Sequence, residues 1–208
     1  LDLGAIRVGN DSYARDNGSY GATTIKRHHV TVKGKTLRFR FRAKSGRQRD
    51  LELTDTYLAK IVRQMQDLDG QDLFSFVDPA AAGEAAAVRD VTSSHVNAYL
   101  RETMGKDFTA KNFRTWHASV MAFALLAGAK DDLTIKAVTQ QVSEKLGNTP
   151  AITRKSYIPP AVFDLMDRQG EWREGLILPR STKWLTREER GLIAFLEKAP
   201  PVADLLAA

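Results

Sequence analysis

The stretch Thr36–Arg42 reads TLRFRFR and decides the fold of the N-terminal part of the chain. Apolar and basic side chains alternate through it, which is the period of a β-strand with one buried and one exposed face. Residues 28–32 alternate in the same way, and Lys33-Gly34-Lys35 lies between the two runs. Two alternating runs joined by a short glycine-containing segment predict a β-hairpin. We therefore expect a small antiparallel sheet with one hydrophobic face and one cationic face.

The positive charge of the chain is concentrated around this hairpin. The 208 residues contain 31 Lys and Arg against 25 Asp and Glu, a net charge of +6. Residues 26–49 hold ten of the basic residues and no acidic one, so the rest of the chain sums to −4. A field of one sign is typical of polyanion binders, because each phosphate neutralised by a cation releases a counterion. We expect Lys33, Arg38, Arg40 and Arg42 to contact a nucleic acid backbone; the alternative is a solvated basic surface.

Outward from the hairpin, the hydrophobic period changes to that of α-helices. The capping residues and apolar spacing predict helices at 54–68, 92–104, 109–127, 131–146, 161–169 and 186–198, with prolines 150, 159 and 160 breaking the pattern. Residues 1–19 are expected to be irregular or briefly helical, and 78–87 (DPAAAGEAAA) to be a connecting loop. The predicted fold class is α+β, mainly helical with a small antiparallel hairpin, in one domain or two small ones.

Several function classes are excluded by composition. Without cysteine, the chain has no disulfide, no thiolate nucleophile and no cysteine-ligated zinc. Four histidines without a dense carboxylate cluster do not indicate a metal site, and His28 and His29, placed on opposite faces of a predicted strand, are expected to be structural or surface residues. Neither a phosphate-binding glycine loop nor a Gly-x-Ser-x-Gly elbow is present. A secretory signal and an apolar run of membrane-spanning length are also lacking, so we expect a cytoplasmic protein.

The residues left for chemistry are a few cations and a tyrosine. Lys111 and Arg114 lie three positions apart on a predicted helix and so share one face. Tyr157 follows the basic pair Arg154-Lys155. Taken alone, the first pattern is typical of a solvated stripe and the second of a packing residue.

Five segments, in this order, carry a resemblance that changes this interpretation. They are IRVGN at 6–10; YGATT at 20–24, leading to His29-Val30; Gly34-Lys35; KNFRT at 111–115; and LGNTP at 146–150 with RKSY at 154–157. Together they resemble the catalytic domain of type IB DNA topoisomerases of the small bacterial and poxvirus kind. Each segment is a weak signal, but their order and the nine-residue step from Asn148 to Tyr157 make the combination specific.

The resemblance implies the fold shared by type IB topoisomerases and tyrosine recombinases, and the relaxation of supercoiled duplex DNA through a 3′-phosphotyrosyl intermediate. Such an enzyme would need neither ATP nor a metal, so no cofactor is expected. Carried over position by position, the family implies Tyr157 as nucleophile, Lys35 as general acid, Arg7, Arg114 and Asn148 around the scissile phosphate, and Lys111 as a DNA contact. The expected partner is double-stranded DNA, without a membrane, bound by a monomer at the nucleoid.

Two departures from the family pattern stand out. Asn148 occupies the position where the family most often has histidine, and an amide can donate a hydrogen bond but cannot carry a proton as imidazolium does. The family also normally carries an N-terminal domain that closes around the duplex. The chain begins with Leu1 and has no segment resembling that domain, so we expect an isolated catalytic domain with weaker DNA binding.

Two alternatives remain open at this point. A tyrosine recombinase or integrase uses the same phosphotyrosine chemistry, although its usual His-x-x-Arg is replaced here by Lys111-x-x-Arg114. A DNA-binding module without catalysis is the other, and it would form no covalent adduct.

Overall fold

The computed structural model describes residues 1–78 and 87–200. The chain divides into two compact units, Leu1–Phe113 (unit 1) and Arg114–Ala208 (unit 2). Unit 1 contains small antiparallel sheets, and the described part of unit 2 is helical. The predicted α+β class with a mainly helical chain is confirmed.

Unit 1 is built around the predicted hairpin. Strands β1 (Val30–Lys33) and β2 (Thr36–Arg42) pair in antiparallel register, with Lys33 opposite Thr36. The turn between them is Gly34-Lys35, and Gly34 has a φ of +55°, which a glycine at the first turn position adopts without strain. A third strand, β3 (Gln48–Thr54), pairs with β2 along its whole length. The sequence prediction left this strand out.

The two faces of β2 are as the alternation predicts. Leu37, Phe39 and Phe41 are buried, whereas the arginines between them are exposed. The buried face packs into a cluster that includes Ile25 and Leu73. Helix α2 (Thr56–Gln66) adds Ala59 and Val62 to this cluster. Asp55 caps the start of the helix by accepting a hydrogen bond from the Leu58 N–H at 2.7 Å.

The prediction that His28 and His29 lie on a strand is wrong. Residues Arg27–His29 form one turn of 3₁₀ helix, and β1 begins only at Val30. The two imidazole rings contact each other with centroids 4.2 Å apart instead of pointing to opposite faces. The Lys26 N–H donates to His29 Nδ1 at 3.1 Å, which closes the turn. Burial, together with the charges of His28 and Lys26, lowers the pKa of His29.

The remaining elements of unit 1 flank the sheet in sequence. They are α1 (Asp11–Asn17), β4 (Ser75–Asp78), β5 (Ala87–Asp90) and α3 (Ser93–Met104). Strands β4 and β5 form a two-stranded antiparallel sheet. The ends of the segment predicted to be a loop at 78–87 therefore belong to strands, and its residues 79–86 lie outside the described residues. Thr92 caps α3, as the sequence predicts.

The described part of unit 2 contains most of α4 and five further α-helices. Their bounds are α4 (Ala110–Gly128), α5 (Ile135–Leu146), α6 (Pro150–Ser156), α7 (Pro160–Asp164), α8 (Gln169–Glu174) and α9 (Arg187–Leu196). Its core is centred on Phe123, whose ring packs edge-on against Trp172 with centroids 5.4 Å apart.

Three predictions for the helices of unit 2 are corrected by the structure. Helix α5 begins after the N-cap Thr134, not at Asp131 or Asp132. Pro150 does not end a helix but begins α6, because a proline at the first helical position needs no N–H partner. The helix predicted at 161–169 is divided into α7, a 3₁₀ turn at Leu165–Arg168, and α8.

Two glycines in unit 1 bring the segments 6–10 and 20–24 into contact. An added Cβ on Gly21 would lie 2.6 Å from the Cα of Gly9, and Gly9 itself has a φ of +104°. Main-chain hydrogen bonds from Ala22 to the Arg7 carbonyl (2.8 Å) and from Thr23 to the Val8 carbonyl (2.7 Å) hold the same contact. Backbone meets backbone here, so neither side has a flexible group that could move aside.

This contact makes Gly21 sensitive to a single methyl group. We expect Gly21→Ala to lower the free energy of unfolding by about 1–3 kcal/mol, because the added carbon overlaps the Gly9 backbone. Urea denaturation measures the loss. The matched control is Gly18→Asn. Gly18 ends α1 in the left-handed region, which asparagine tolerates, and a Cβ added there would have no neighbouring atom within 4 Å. Equal stability of the two variants would contradict the packing argument.

Candidate active site

The site residues expected from the sequence divide between the two units. Arg7, Lys35 and the basic residues of the hairpin belong to unit 1. Arg114, Asn148 and Tyr157 belong to unit 2.

Arg114 is the centre of the group in unit 2. Its side chain is buried, with 3% of the residue surface exposed. Its Nη2 donates to the Leu146 carbonyl at 2.9 Å and to Asn148 Oδ1 at 3.2 Å. A buried guanidinium requires such acceptors, because an unsolvated charge is costly unless it is hydrogen-bonded. The two acceptors therefore determine where the positive charge lies.

The connection between α5 and α6 supplies both acceptors. Gly147 ends α5 in the left-handed region (φ +65°), and its N–H bonds back to the Ser143 and Glu144 carbonyls. This reversal directs the Leu146 carbonyl and the Asn148 amide to Arg114. Thr149 then caps α6 through a hydrogen bond from the Ile152 N–H. The motif LGNTP is thus a helix end and a helix start with two polar groups aimed at one cation.

Tyr157 lies at the other end of α6. It is the C-terminal cap of that helix, half-buried, and its N–H donates to the Thr153 carbonyl at 3.1 Å. The guanidinium carbon of Arg114 lies 5.4 Å from the centroid of the tyrosine ring. Because α6 is only seven residues long, it places Asn148 before its start and Tyr157 at its end within reach of one arginine. The structure therefore brings three predicted site residues together.

Two contacts of this site were not predicted. The buried Ser119, on α4 after Arg114, donates to the Thr115 carbonyl at 2.7 Å and lies 3.4 Å from the Tyr157 carbonyl. The indole of Trp116 donates to Glu189 Oε1 at 3.0 Å, which ties α4 to α9. No sequence pattern distinguishes these residues, because their partners lie 38 and 73 positions away.

Glu189 serves two elements at once. Besides the Trp116 indole it accepts a hydrogen bond from the Thr186 N–H at 2.8 Å, which completes a capping box at the start of α9. Burial would raise the pKa of the Glu189 carboxyl, but the hydrogen bonds from Thr186 and Trp116 hold the pKa below its ordinary value. The carboxylate thus stays charged, and it fixes the helix that carries Arg114 against α9.

In unit 1, Arg7 is half-buried at the glycine contact described above. Its carbonyl accepts the Ala22 hydrogen bond, so the segment that carries the side chain is held by the main chain and by the tight approach of Gly9 and Gly21. The resemblance gave only the order of the segments 6–10 and 20–24 along the chain, and the structure shows that they are in direct contact.

Lys35 is exposed at the tip of the hairpin, and its backbone is anchored. The Asp55 N–H donates to the Lys35 carbonyl at 2.9 Å, and Arg63 on α2 donates to the carbonyl of Gly34. The start of α2 and one of its side chains therefore hold the turn, while the Lys35 side chain extends into solvent. This arrangement holds the main chain at Lys35 and leaves its side chain exposed.

The cationic face of the sheet is less positive than the sequence suggests. Arg38 donates to both carboxylate oxygens of Asp50, at 2.8 and 2.7 Å, and Arg40 donates to one of them at 3.1 Å. The hydrogen bond from Arg38, with a smaller contribution from Arg40, lowers the pKa of Asp50 to about 2. Asp50 lies on β3, directly opposite Arg40 in the register, and just outside the range 26–49 that contains no acid.

Other members of the basic run have structural partners. Lys26 forms an ion pair with Asp72 at 2.7 Å. The guanidinium of Arg27 donates to three main-chain carbonyls, those of residues 66, 69 and 72. Lys33 and Arg42 of the same run, and Lys111 outside it, have exposed side chains. Lys26 and Arg27 therefore stabilise the loop before β4, and neither is among the hairpin residues expected to contact a nucleic acid.

The described part of the chain holds no group of three or more His, Asp or Glu residues that could bind a metal ion. Within residues 1–78 and 87–200, no helix is both long and apolar enough to cross a membrane.

The family model of the eukaryotic DNA topoisomerase I catalytic core matches residues 1–163. The chain belongs to this topoisomerase family. The match includes every segment on which the resemblance rested, from Arg7 to Tyr157, and the resemblance is confirmed.

A curated relative agrees with this family. DNA topoisomerase 1B of Acanthamoeba polyphaga mimivirus is 28% identical over 177 residues, which cover 80% of this chain and 52% of the relative. The chain thus spans about half the length of the topoisomerase it matches.

The shared carboxylate of Asp50 offers a test of the cationic face. We expect Asp50→Asn to increase the affinity for duplex DNA severalfold, because it releases Arg38 and Arg40 from their common acid. The slope of log affinity against log salt should steepen by about 0.9 for each new phosphate contact. Fluorescence anisotropy of a labelled duplex across a salt series measures both.

The control for this test is Glu171→Gln, which changes the net charge equally on an exposed side chain of unit 2. If the two variants bind DNA with the same affinity and slope, the arginine face of the sheet is not the DNA contact.

Proposed function

We propose that the chain relaxes supercoiled duplex DNA by transient cleavage and religation of one strand. The observation that carries this proposal is the cluster of Arg114, Asn148 and Tyr157, in which a buried cation lies beside both a tyrosine ring and an amide. Membership of the topoisomerase family supports the same activity. A recombinase would use similar groups, but the matching family model is that of a topoisomerase.

The cations are needed because a phosphodiester is a poor electrophile. Its unbridged oxygens carry a negative charge that repels a nucleophile and must be stabilised during displacement. Arginine suits this task because its planar fork of N–H donors matches the geometry of two phosphate oxygens. We assign this role to Arg114 and Arg7, with Lys111, Lys33 and Arg42 on the flanking backbone.

In the proposed reaction, the phenolic oxygen of Tyr157 attacks the scissile phosphorus. The new bond joins tyrosine to the 3′-phosphate, and the bond from phosphorus to the 5′-oxygen breaks. The 5′-oxygen takes a proton from the Lys35 ammonium group, which becomes a neutral amine, while the phenolic proton passes to solvent. One phosphate ester replaces another, so the reverse reaction can reseal the strand without ATP. While the link persists, rotation of the free end relaxes superhelical strain.

Asn148 stabilises charge in this scheme and transfers no proton. Its Oδ1 accepts from Arg114, so the amide orientation is set and its NH₂ group is the part that can donate to a phosphate oxygen. An amide does not titrate between pH 5 and 8, whereas a histidine does. This position is therefore expected to stabilise charge without acid–base work.

One chain carries every residue assigned here. We therefore expect a monomer to act on double-stranded DNA, at the nucleoid of the cytoplasm.

The activity is tested by relaxation of a supercoiled plasmid. We expect relaxation without ATP and in the presence of EDTA, because neither an energy source nor a metal takes part in the ester exchange. Rapid denaturation with detergent should trap DNA covalently attached to the protein. A strict requirement for magnesium would contradict the proposed chemistry.

The control is Tyr157→Phe, which removes one oxygen from a half-buried ring and leaves its contact with Arg114. It should lose covalent capture entirely and keep DNA binding. Covalent capture by this variant would remove Tyr157 from its role. Binding without capture by both proteins would identify a DNA-binding module without catalysis.

The role of Lys35 is tested by changing the leaving atom. We expect Lys35→Ala to slow cleavage of an ordinary duplex by about 10²–10⁴-fold, the usual contribution of a general acid. A duplex with sulfur at the scissile 5′-position should restore the rate, because a thiolate leaves without a proton. Single-turnover cleavage measures both rates.

Lys33→Ala is the matched control, since Lys33 is an exposed lysine at the other end of the same turn. It should slow cleavage of both substrates to the same small extent. An equal defect of Lys35→Ala on both duplexes would make Lys35 a phosphate contact and not the acid.

A further inference from the structure

An exposed turn in unit 2 lies beyond the region that the topoisomerase family model matches. We call residues 176–185 the Trp184 turn; they follow α8 and precede α9. The family match ends at residue 163, so the assigned chemistry does not involve this segment. Its most prominent side chain is Trp184, which is 80% exposed.

This exposure contrasts with the other tryptophans. Trp116 donates its indole N–H to Glu189, and Trp172 packs against Phe123 in the core of unit 2. Both are partly buried, and each has a structural role. Trp184 is the one tryptophan of the sequence that the structure displays to solvent. Tryptophan is enriched at binding interfaces, because its ring offers a large apolar area together with an N–H donor.

Hydrogen bonds within the Trp184 turn hold the main chain where it presents the ring. The hydroxyl of Thr182 accepts hydrogen bonds from the N–H groups of Trp184 (3.3 Å) and Leu185 (3.0 Å), and the Thr182 N–H donates to the Leu185 carbonyl at 2.8 Å. A bound partner therefore meets a backbone that is already ordered, which reduces the entropy lost on binding.

Helix α9 anchors the other side of the turn. Arg187 donates to the Pro179 carbonyl, and Arg190 donates to the Arg180 carbonyl. Leu178 packs so closely on Gly191 that a Cβ there would lie 2.5 Å from the leucine methyl. Since Glu189 ties α9 to α4, the turn is connected through packed elements to the helix that carries Arg114.

The charge of the turn is of one sign. Residues 175–187 contain three basic residues and no Asp or Glu, and Arg180 and Lys183 are both exposed. The Lys183 amine lies 4.5 Å from the centroid of the Trp184 ring. A cation and an aromatic face thus occupy one small surface. That combination matches a sugar-phosphate backbone, whose phosphate is anionic and whose deoxyribose has an apolar face.

We propose that the Trp184 turn is a second DNA contact, at which Arg180 and Lys183 bind phosphates and the indole of Trp184 packs against the adjacent sugar. This proposal rests on the proposed function, since it takes the same duplex as the ligand. An acidic protein is disfavoured because a carboxylate surface would satisfy the lysine and the arginine but would leave the indole without an apolar partner. The turn would hold the duplex without taking part in the ester exchange.

Acrylamide quenching of tryptophan fluorescence tests this contact directly. The Tyr157→Phe protein is titrated with an unlabelled duplex, so that no covalent step enters. We expect DNA to reduce quenching strongly, because Trp184 is the exposed fluorophore and becomes covered. The same titration of a variant that also carries Trp184→Phe gives the signal of the two partly buried tryptophans and should change little.

Affinity provides the second measurement. Trp184→Ala should weaken duplex binding by at least about fivefold, the lower end of the loss caused by removing an aromatic contact. Arg180→Ala with Lys183→Ala should reduce the salt slope by up to about 1.8, or 0.9 for each phosphate. Ile177→Ala is the matched control, since Ile177 is 91% exposed on the same turn and carries neither charge nor ring. It should bind like the parent protein.

The outcomes separate this contact from the proposed function. Tight DNA binding with Trp184 still open to acrylamide overturns the contact and leaves the relaxation activity standing. Protection of Trp184 by DNA in a protein whose unmodified form never captures DNA covalently supports the contact and contradicts the activity. Protection by an acidic protein but not by DNA, or no DNA binding at all, overturns the contact.

Discussion

The buried guanidinium of Arg114 is the constraint on which the site in unit 2 depends. A charge that is almost wholly removed from water must be surrounded by acceptors, and here these are the last carbonyl of α5 and the Asn148 side chain. The left-handed Gly147 makes that arrangement possible, because it turns the chain back within one residue. Helix α6 then follows, and its length places Tyr157 beside the same cation. The end of α5, the start of α6 and Tyr157, the proposed nucleophile, thus all lie around one charge.

Unit 1 uses a different device, which is close packing of backbone. Gly9 and Gly21 touch without side chains between them, and this contact holds the segment that carries Arg7. The hairpin tip that carries Lys35 is held by hydrogen bonds to its carbonyls from Asp55, which caps α2, and from Arg63 near the end of that helix. In both cases the main chain is fixed while the cationic side chain keeps access to solvent. That division suits residues whose proposed partner, a phosphate, is brought by the substrate.

Much of the site could be predicted from the sequence because its motifs are local. KNFRT lies in the first turns of α4, and LGNTP joins the end of α5 to the start of α6, so both are placed by helix boundaries that short stretches of sequence predict. Within KNFRT, Lys111 is exposed whereas Arg114 is buried. The prediction was less successful wherever partners are distant in the chain. Strand β3 was missed, and with it Asp50, because the charge count stopped at Arg49 and the pairing of Arg38 and Arg40 with an acid exists only across strands. Ser119 and Glu189 were not predicted for the same reason, since their partners are distant in the chain.

The sequence by itself determined the fold class, the alternating faces of the hairpin, most of the helices and the identity of the candidate site residues, since these depend on periods, caps and motifs within short stretches. Only the tertiary structure decided which cationic side chains are exposed and which form ion pairs with carboxylates or hydrogen bonds with carbonyls. It also decided that Pro150 begins a helix, that the two histidines contact each other, and that one of three tryptophans faces solvent. The physical reason is that burial, ion pairing and exposure are properties of neighbours in space. Such neighbours can be far apart in the sequence, as are Arg40 and Asp50 (10 positions) and Trp116 and Glu189 (73 positions).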